Sequence, residues 1–206
     1  AANSDSAANT RDADHPAVPA GAIDPEGARK LELEFLNGFE ARFYTLPSVP
    51  NPLEHGKRYE VQPTGEATAF FSDREELKRL LISNEHQSRD IKAYPQNRGL
   101  EIGLVRRKLL GNKTKRVAFV GACWSPLADL VEHGYASNPA SRRTLVRLVE
   151  RAVRDPHCFY FLGFFSTTGW TDDAKEASTP GANYQLFLLE CDDELGFRAF
   201  APSDLD

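Results

Sequence analysis

Basic side chains crowd one part of this sequence. Arg89, Lys92, Arg98, Arg106, Arg107, Lys108, Lys113, Lys115 and Arg116 all fall within 28 positions. Guanidinium and ammonium groups at this density attract phosphate. On a strand alternate residues face one side, so Arg106 and Lys108 are expected to project together, with Lys115 continuing a cationic stripe. Arg142 and Arg143 are expected in the first turn of a helix, where the dipole disfavours cations by about a few tenths of a kcal/mol. An anion or an acidic partner would compensate. No aromatics interleave with these bases, so contact with phosphate is expected to dominate, with low base specificity. The predicted nucleic-acid-binding residues are Arg89, Lys92, Arg106, Lys108, Lys113, Lys115, Arg116, Arg142 and Arg143. Two other readings stand beside this one. The cations can form a merely solvated face, and an Arg143/Arg147/Arg151 stripe can serve an acidic protein subunit.

The charge distribution sharpens the contrast. The chain has 206 residues and a formal net charge of −5. Residues 89–154 carry 14 Lys and Arg against 5 Asp and Glu, a local excess of +9, while the remainder carries −14. Much of the acidity lies in residues 1–27 and 172–206. A basic middle between acidic ends suits a polyanion binder, because the local field rather than the total charge governs attraction to phosphate.

Other chemistries find less support. Cys123 sits in GACW, a string similar to that around papain-like nucleophiles. A thiolate there would need a His base held by Asn or Asp. His133 and His157 follow it, but Cys123 lies in an apolar strand pattern, where cysteine is usually a small core residue. The strand pair EIGLV…VAFVGACW, followed by helix, strand and STTGWT, resembles in order the restriction-endonuclease-like nuclease core. That core needs an acidic residue on the first strand and Glu-x-Lys on the second to hold a divalent metal. The corresponding positions here are Gly103, Ala122 and Trp124, so an active nuclease is not expected. Five dispersed histidines and three widely spaced cysteines make no metal spacing or disulfide framework, and no glycine-rich phosphate loop is present. The expectation is a non-enzyme with no cofactor and no metal.

The elements that must position the cations are read from periodicity. Residues 1–27, with Pro16, Pro19 and Pro25 and no aromatic or Leu, predict a flexible arm. Asn37-Gly38 between alternating apolar runs predicts a hairpin over KLELEFLNGFEARFYTL, and a helix capped by Asp24 and Pro25 is the alternative. KRYEVQ and EATAFFS predict strands around Pro63-Thr64-Gly65. Ser72 and Glu75 predict a capping box opening a short helix over 73–83 that stops at Asn84. DIKAY predicts a short strand, and GLEIGLVRRKL (99–109) and KRVAFVGACW (115–124) predict a hairpin across GNKT. Asn138 with Pro139 predicts the start of a helix that ends at Pro156, burying Leu145, Leu148/Val149 and Ala152/Val153. HCFYFLGFF (157–165) must be buried, 171–183 is expected to be loop, and YQLFLLE and GFRAF predict two late strands. The resulting expectation is a flexible arm at 1–27, a nucleic-acid-binding domain at 28–170 and an acidic, partly stranded extension at 171–206.

Three stretches carry a resemblance to a known family. EATAFFSDREELKRLL is similar to the strand-into-helix passage of Whirly proteins, DIKAYPQNR to their next short strand and turn, and NPASRRTLVRLVERAVRDPHCFYFLGF to their closing helix and its apolar Leu-Gly-aromatic run. The resemblance covers about residues 57–165. It implies an α+β fold of two packed antiparallel β-sheets with a short and a longer amphipathic helix. The plant Whirly motif Lys-Gly-Lys-Ala-Ala-Leu is absent, and the pattern is closer in type to the kinetoplastid mitochondrial guide-RNA-binding proteins. That likeness implies sequence-nonspecific binding of single-stranded or hairpin RNA and promotion of guide RNA–mRNA annealing during RNA editing. It also implies assembly as a homo- or hetero-tetramer with a paralogous subunit. The alternatives are a non-enzymatic accessory subunit of a mitochondrial assembly and single-stranded DNA binding.

The opening AANSDSAANT has neither a basic nor an apolar signal region, and the sequence lacks Met. Both features are expected of an organellar import product after removal of a transit peptide, and equally of a segment boundary. The resemblance implies a mitochondrial location, with which this opening agrees, and no membrane insertion is expected, since no apolar run of about 18 residues occurs.

Overall fold

The computed structural model describes residues 19–46, 48–50, 52, 58–60, 67–86, 88–107, 113–192 and 196–200. The chain is α+β. Helix α1 (Pro25–Thr45) leads to a two-stranded antiparallel ribbon, β1 (Ser48–Pro50) and β2 (Arg58–Glu60). Then follow β3 (Thr68–Phe71), α2 (Arg74–Ser83), a 3-10 turn (Ser88–Lys92), β4 (Gly99–Arg107) and β5 (Lys113–Trp124). Helices α3 (Leu127–His133) and α4 (Arg142–Ala152) precede β6 (Phe159–Ser166), and α5 (Asp172–Glu176) precedes β7 (Tyr184–Asp192) and β8 (Gly196–Phe200). No described helix is long and apolar enough to cross a membrane.

Strands β3 to β8 form one six-stranded sheet in sequence order. β3, β4 and β5 run antiparallel, β5–β6 and β6–β7 are parallel, and β7–β8 is antiparallel. One mixed sheet therefore replaces the expected pair of packed antiparallel sheets. The reason lies in the crossovers. A parallel connection needs a dozen or more residues and normally carries helix, and α3–α4 and α5 fill these two links. Strands flanked by crossover helices are buried on both faces, which accounts for the unbroken apolar run of FYFLGFF in β6. β7 and β8 complete this sheet, so residues 184–192 and 196–200 belong to it.

Alternate residues of β5 divide the core. Ala118, Val120 and Ala122 pack with Leu145, Leu148 and Ala152 of α4, whereas Val117 packs with Phe43 and Phe39, and Cys123 with Phe35 and Leu36 of α1. Helices α1 and α4 thus cover opposite faces. A Cβ on Gly121 would stand 2.8 Å from the Phe39 ring, so glycine is what lets α1 lie close on the sheet. A further cluster joins Leu77 and Leu81 of α2 to Leu127, Leu130 and Val131 of α3.

Several local expectations yield to this architecture. The hairpin at Asn37-Gly38 is instead continuous α1. Asp24 caps it by accepting from Gly27 N–H at 2.7 Å with Pro25 in the first turn, and Ala28, Glu32, Phe35, Leu36 and Phe43 follow helical spacing on the buried side. Leu31 and Leu33, which carried the alternating pattern, are only half-buried. In the predicted capping box, Ser72 Oγ accepts from Arg74 N–H at 3.2 Å, but Glu75 pairs with Lys78 at 2.6 Å instead of reaching back. In DIKAY, Asp90 to Lys92 end the 3-10 turn and Ala93 and Tyr94 follow it, so no strand forms there. The Asn138-Pro139 start is displaced to Ser141, whose hydroxyl accepts from Thr144 N–H. Residues 172–176, expected as loop, form α5. The Pro63-Thr64-Gly65 turn, Lys108 and the Gly111-Asn112 half of the GNKT connection lie outside the described residues, as do residues 1–18 of the expected arm.

Candidate nucleic-acid interface

Helix α4 has a sharply divided surface. Leu145, Leu148 and Ala152 point into the core, while Arg142, Arg143 and Arg147 are exposed. Arg143, Arg147 and Arg151 recur every four residues and share one side of the helix. Their environments differ. Arg151 donates to Asp73 Oδ1 at 2.8 Å, and its guanidinium carbon lies 4.1 Å from the centre of the Phe71 ring. Arg154 lies 4.1 Å over Phe70 and donates from Nε to the Arg151 carbonyl at 3.0 Å. Among the described residues, Arg142, Arg143 and Arg147 make no ion pair.

Arg147 and Arg151 edge a cleft of about 530 Å³ between α4, the start of α2 and the end of β5. Asp73, Glu76, Trp124 and Ser125 also line it. Its floor is a saturated network. Asn97, in the left-handed region at φ 47°, donates from Nδ2 to Asp73 Oδ2 at 3.2 Å and to the Ser125 carbonyl at 3.0 Å. Its Oδ1 accepts from Ser125 N–H at 2.7 Å, and Thr167 Oγ1 donates to Ser125 Oγ at 2.9 Å. Asparagine tolerates this backbone conformation better than most residues, and the network holds it there. Both Asp73 oxygens are engaged, so the carboxylate leaves the α2 cap unfilled.

The predicted site residues divide among three places. Arg142 and Arg143 open α4. Lys92 lines a separate groove with Arg29, Lys30 and Asn37 of α1, on the α1 side of the molecule. Arg106 pairs across the hairpin with Thr114, Arg107 with Lys113, and Val105 with Lys115. These backbone positions lie at the far end of β5 from Trp124, roughly 30–40 Å away at the rise of an extended strand. Arg116 also belongs to β5. The side chains of Arg89, Arg106, Lys113, Lys115 and Arg116, and all of Lys108, lie outside the described residues.

The alternative chemical sites are placed too. Cys123 is fully buried against Phe35, Leu36 and Phe165. Burial pushes its thiol pKa well up, and the Glu32 carboxylate adds to the shift. Glu32 is itself buried, accepting from the N–H groups of Gln96 at 3.1 Å and Arg98 at 2.9 Å and pairing with Arg29, so it anchors α1 to the entry of β4. Gly103 and Ala122 face Ala118 and Gly99 across β4 and β5, and Trp124 closes β5 opposite Ser166 of β6. Among the described residues, no three His, Cys, Asp or Glu side chains gather as a metal site.

Residues that sequence reasoning missed are Asp73, Glu76, Asn97 and Ser125. The only signal in the sequence was Arg147 and Arg151 in the helical stripe, since their carboxylate neighbours sit more than 70 positions away. No protein-family model, curated protein or solved structure matches this chain.

Proposed function

We propose that this protein binds single-stranded RNA through phosphate contacts, without covalent chemistry, and that the exposed face of α4 is its principal described contact surface. The observation that carries this reading is the trio Arg142, Arg143 and Arg147, exposed on one helix with no described ion-pair partner. Two of the three stand in the first helical turn, where the dipole opposes them, so a bound polyanion relieves an unfavourable placement. The β4–β5 connection, rich in Lys and Arg by sequence, supplies a second cationic region that a long strand can reach. Neutralised phosphates on one strand repel a complementary strand less, and bases left in solvent stay free to pair. Promotion of guide RNA–mRNA annealing, as the Whirly resemblance implies, is the narrower form of the proposal.

Anisotropy titration of a labelled single-stranded RNA across a salt series tests it. A single strand gives a log K versus log salt slope of about −0.7 per phosphate neutralised. The triple variant R142A/R143A/R147A should flatten that slope by about 2. A salt-independent affinity, or an unaltered slope in the variant, overturns the assignment. A second reading rests on Val146, which is 48% exposed among these arginines. An acidic protein partner would use that methyl surface, and RNA would then fail to bind at any salt concentration.

A further inference from the structure

The cleft beside α4 has properties that phosphate binding alone does not explain. Its charges balance: Arg147 and Arg151 face Asp73 and Glu76. Asp73 and Arg151 neutralise one another, which leaves Arg147 and Glu76 as its two charged side chains without a described ion pair. A site meant only for phosphate would place no free carboxylate beside its arginine. One that holds a whole nucleotide has a use for both. The volume, about 530 Å³, lies within the range of roughly 300–1,000 Å³ common for small-ligand pockets. Half-buried Trp124 on the wall offers an aromatic surface against which a base can pack.

From this juxtaposition we infer that the cleft takes one nucleotide of the bound strand, with its phosphate on Arg147 and an amino-bearing base turned toward Glu76. The inference rests on the RNA-binding reading above and adds a base preference to it. A carboxylate only accepts hydrogen bonds, so it suits the exocyclic amine of cytosine, as carboxylates do when they read cytosine N4 in DNA grooves. Uracil presents a carbonyl oxygen at the same ring position. That oxygen would meet Glu76 acceptor to acceptor, so uracil gains no hydrogen bond there. The cleft therefore discriminates at one nucleotide while the arginine face grips the rest of the strand without regard to sequence.

Oligo(rC) and oligo(rU) of ten nucleotides form the sharpest pair, because both are weakly stacked pyrimidines that differ at ring position 4. By anisotropy with the full chain at neutral pH and fixed salt, oligo(rC) should bind about five- to tenfold more tightly. Glu76→Gln, whose side chain can both donate and accept, should bring the two affinities within about twofold while its thermal midpoint stays at that of the wild type. Glu76 is exposed on the first turn of α2, so the variant keeps the core intact. Addition of CMP should also change the tryptophan fluorescence through Trp124, whereas Trp170 is buried. Equal binding of the two oligomers, or a preference that survives Glu76→Gln, overturns the base-reading cleft and leaves phosphate binding intact. Loss of all salt-dependent binding would instead remove the RNA-binding reading itself.

Discussion

The two halves of α4 carry the same residue type to opposite ends. In the last turn and just beyond it, Arg151 and Arg154 lie over the rings of Phe71 and Phe70, and Arg151 is pinned by Asp73. In the first half, Arg142, Arg143 and Arg147 stand in solvent without a described counter-ion. The dipole favours the first pair and opposes those in the first turn. A guanidinium becomes part of the scaffold where an aromatic face and a carboxylate meet it, and remains available to a ligand where neither does.

From this contrast it follows that stability and binding respond to different arginines. The largest stability effect should come from Arg151→Ala. It removes an ion pair and a cation–π contact and leaves Asp73 with one partner fewer, a loss of about 1–2 kcal/mol once partial exposure is allowed for. Urea denaturation measures it, and RNA affinity extrapolated to the folded fraction should change little. Next comes Ser141→Ala, which deletes the side-chain cap of α4 and should cost about 0.5–1 kcal/mol by the same assay. Arg143→Ala with Arg147→Ala should move stability by less than about 0.5 kcal/mol yet lower the salt slope of RNA binding. An inverted pattern, with Arg147 needed for folding and Arg151 for RNA, would abolish the distinction between the two halves.

Much of the architecture was readable from local pattern. Strands β4, β5, β7 and β8 were legible in GLEIGLVRRKL, KRVAFVGACW, YQLFLLE and GFRAF, the burial of β6 in HCFYFLGFF, and α2 in its leucine spacing and Asn84 stop. The 25–45 segment went the other way. Asn37-Gly38 is a strong turn signal in isolation, but the cap at Asp24-Pro25 and the buried row from Ala28 to Phe43 outweigh it once β5 offers a surface. Gly38 has nothing within 4 Å of an added Cβ, so no close packing demands glycine there. The site was less legible. Its arginines were visible as a helical stripe, whereas Asp73, Asn97 and Ser125 are tied together only by contacts between distant segments.

The amino-acid sequence by itself determined the concentration of cations between 89 and 154, the apolar strands and the amphipathic face of α4. Each of these is a property of spacing along one segment. Tertiary structure alone decided that β3 to β8 join in a single mixed sheet, that Lys92 and Arg142 lie by opposite faces, and that Asp73 neutralises Arg151 rather than Arg147. Those outcomes depend on which segments meet in space, and burial of both faces of β5 and β6 dictates that meeting.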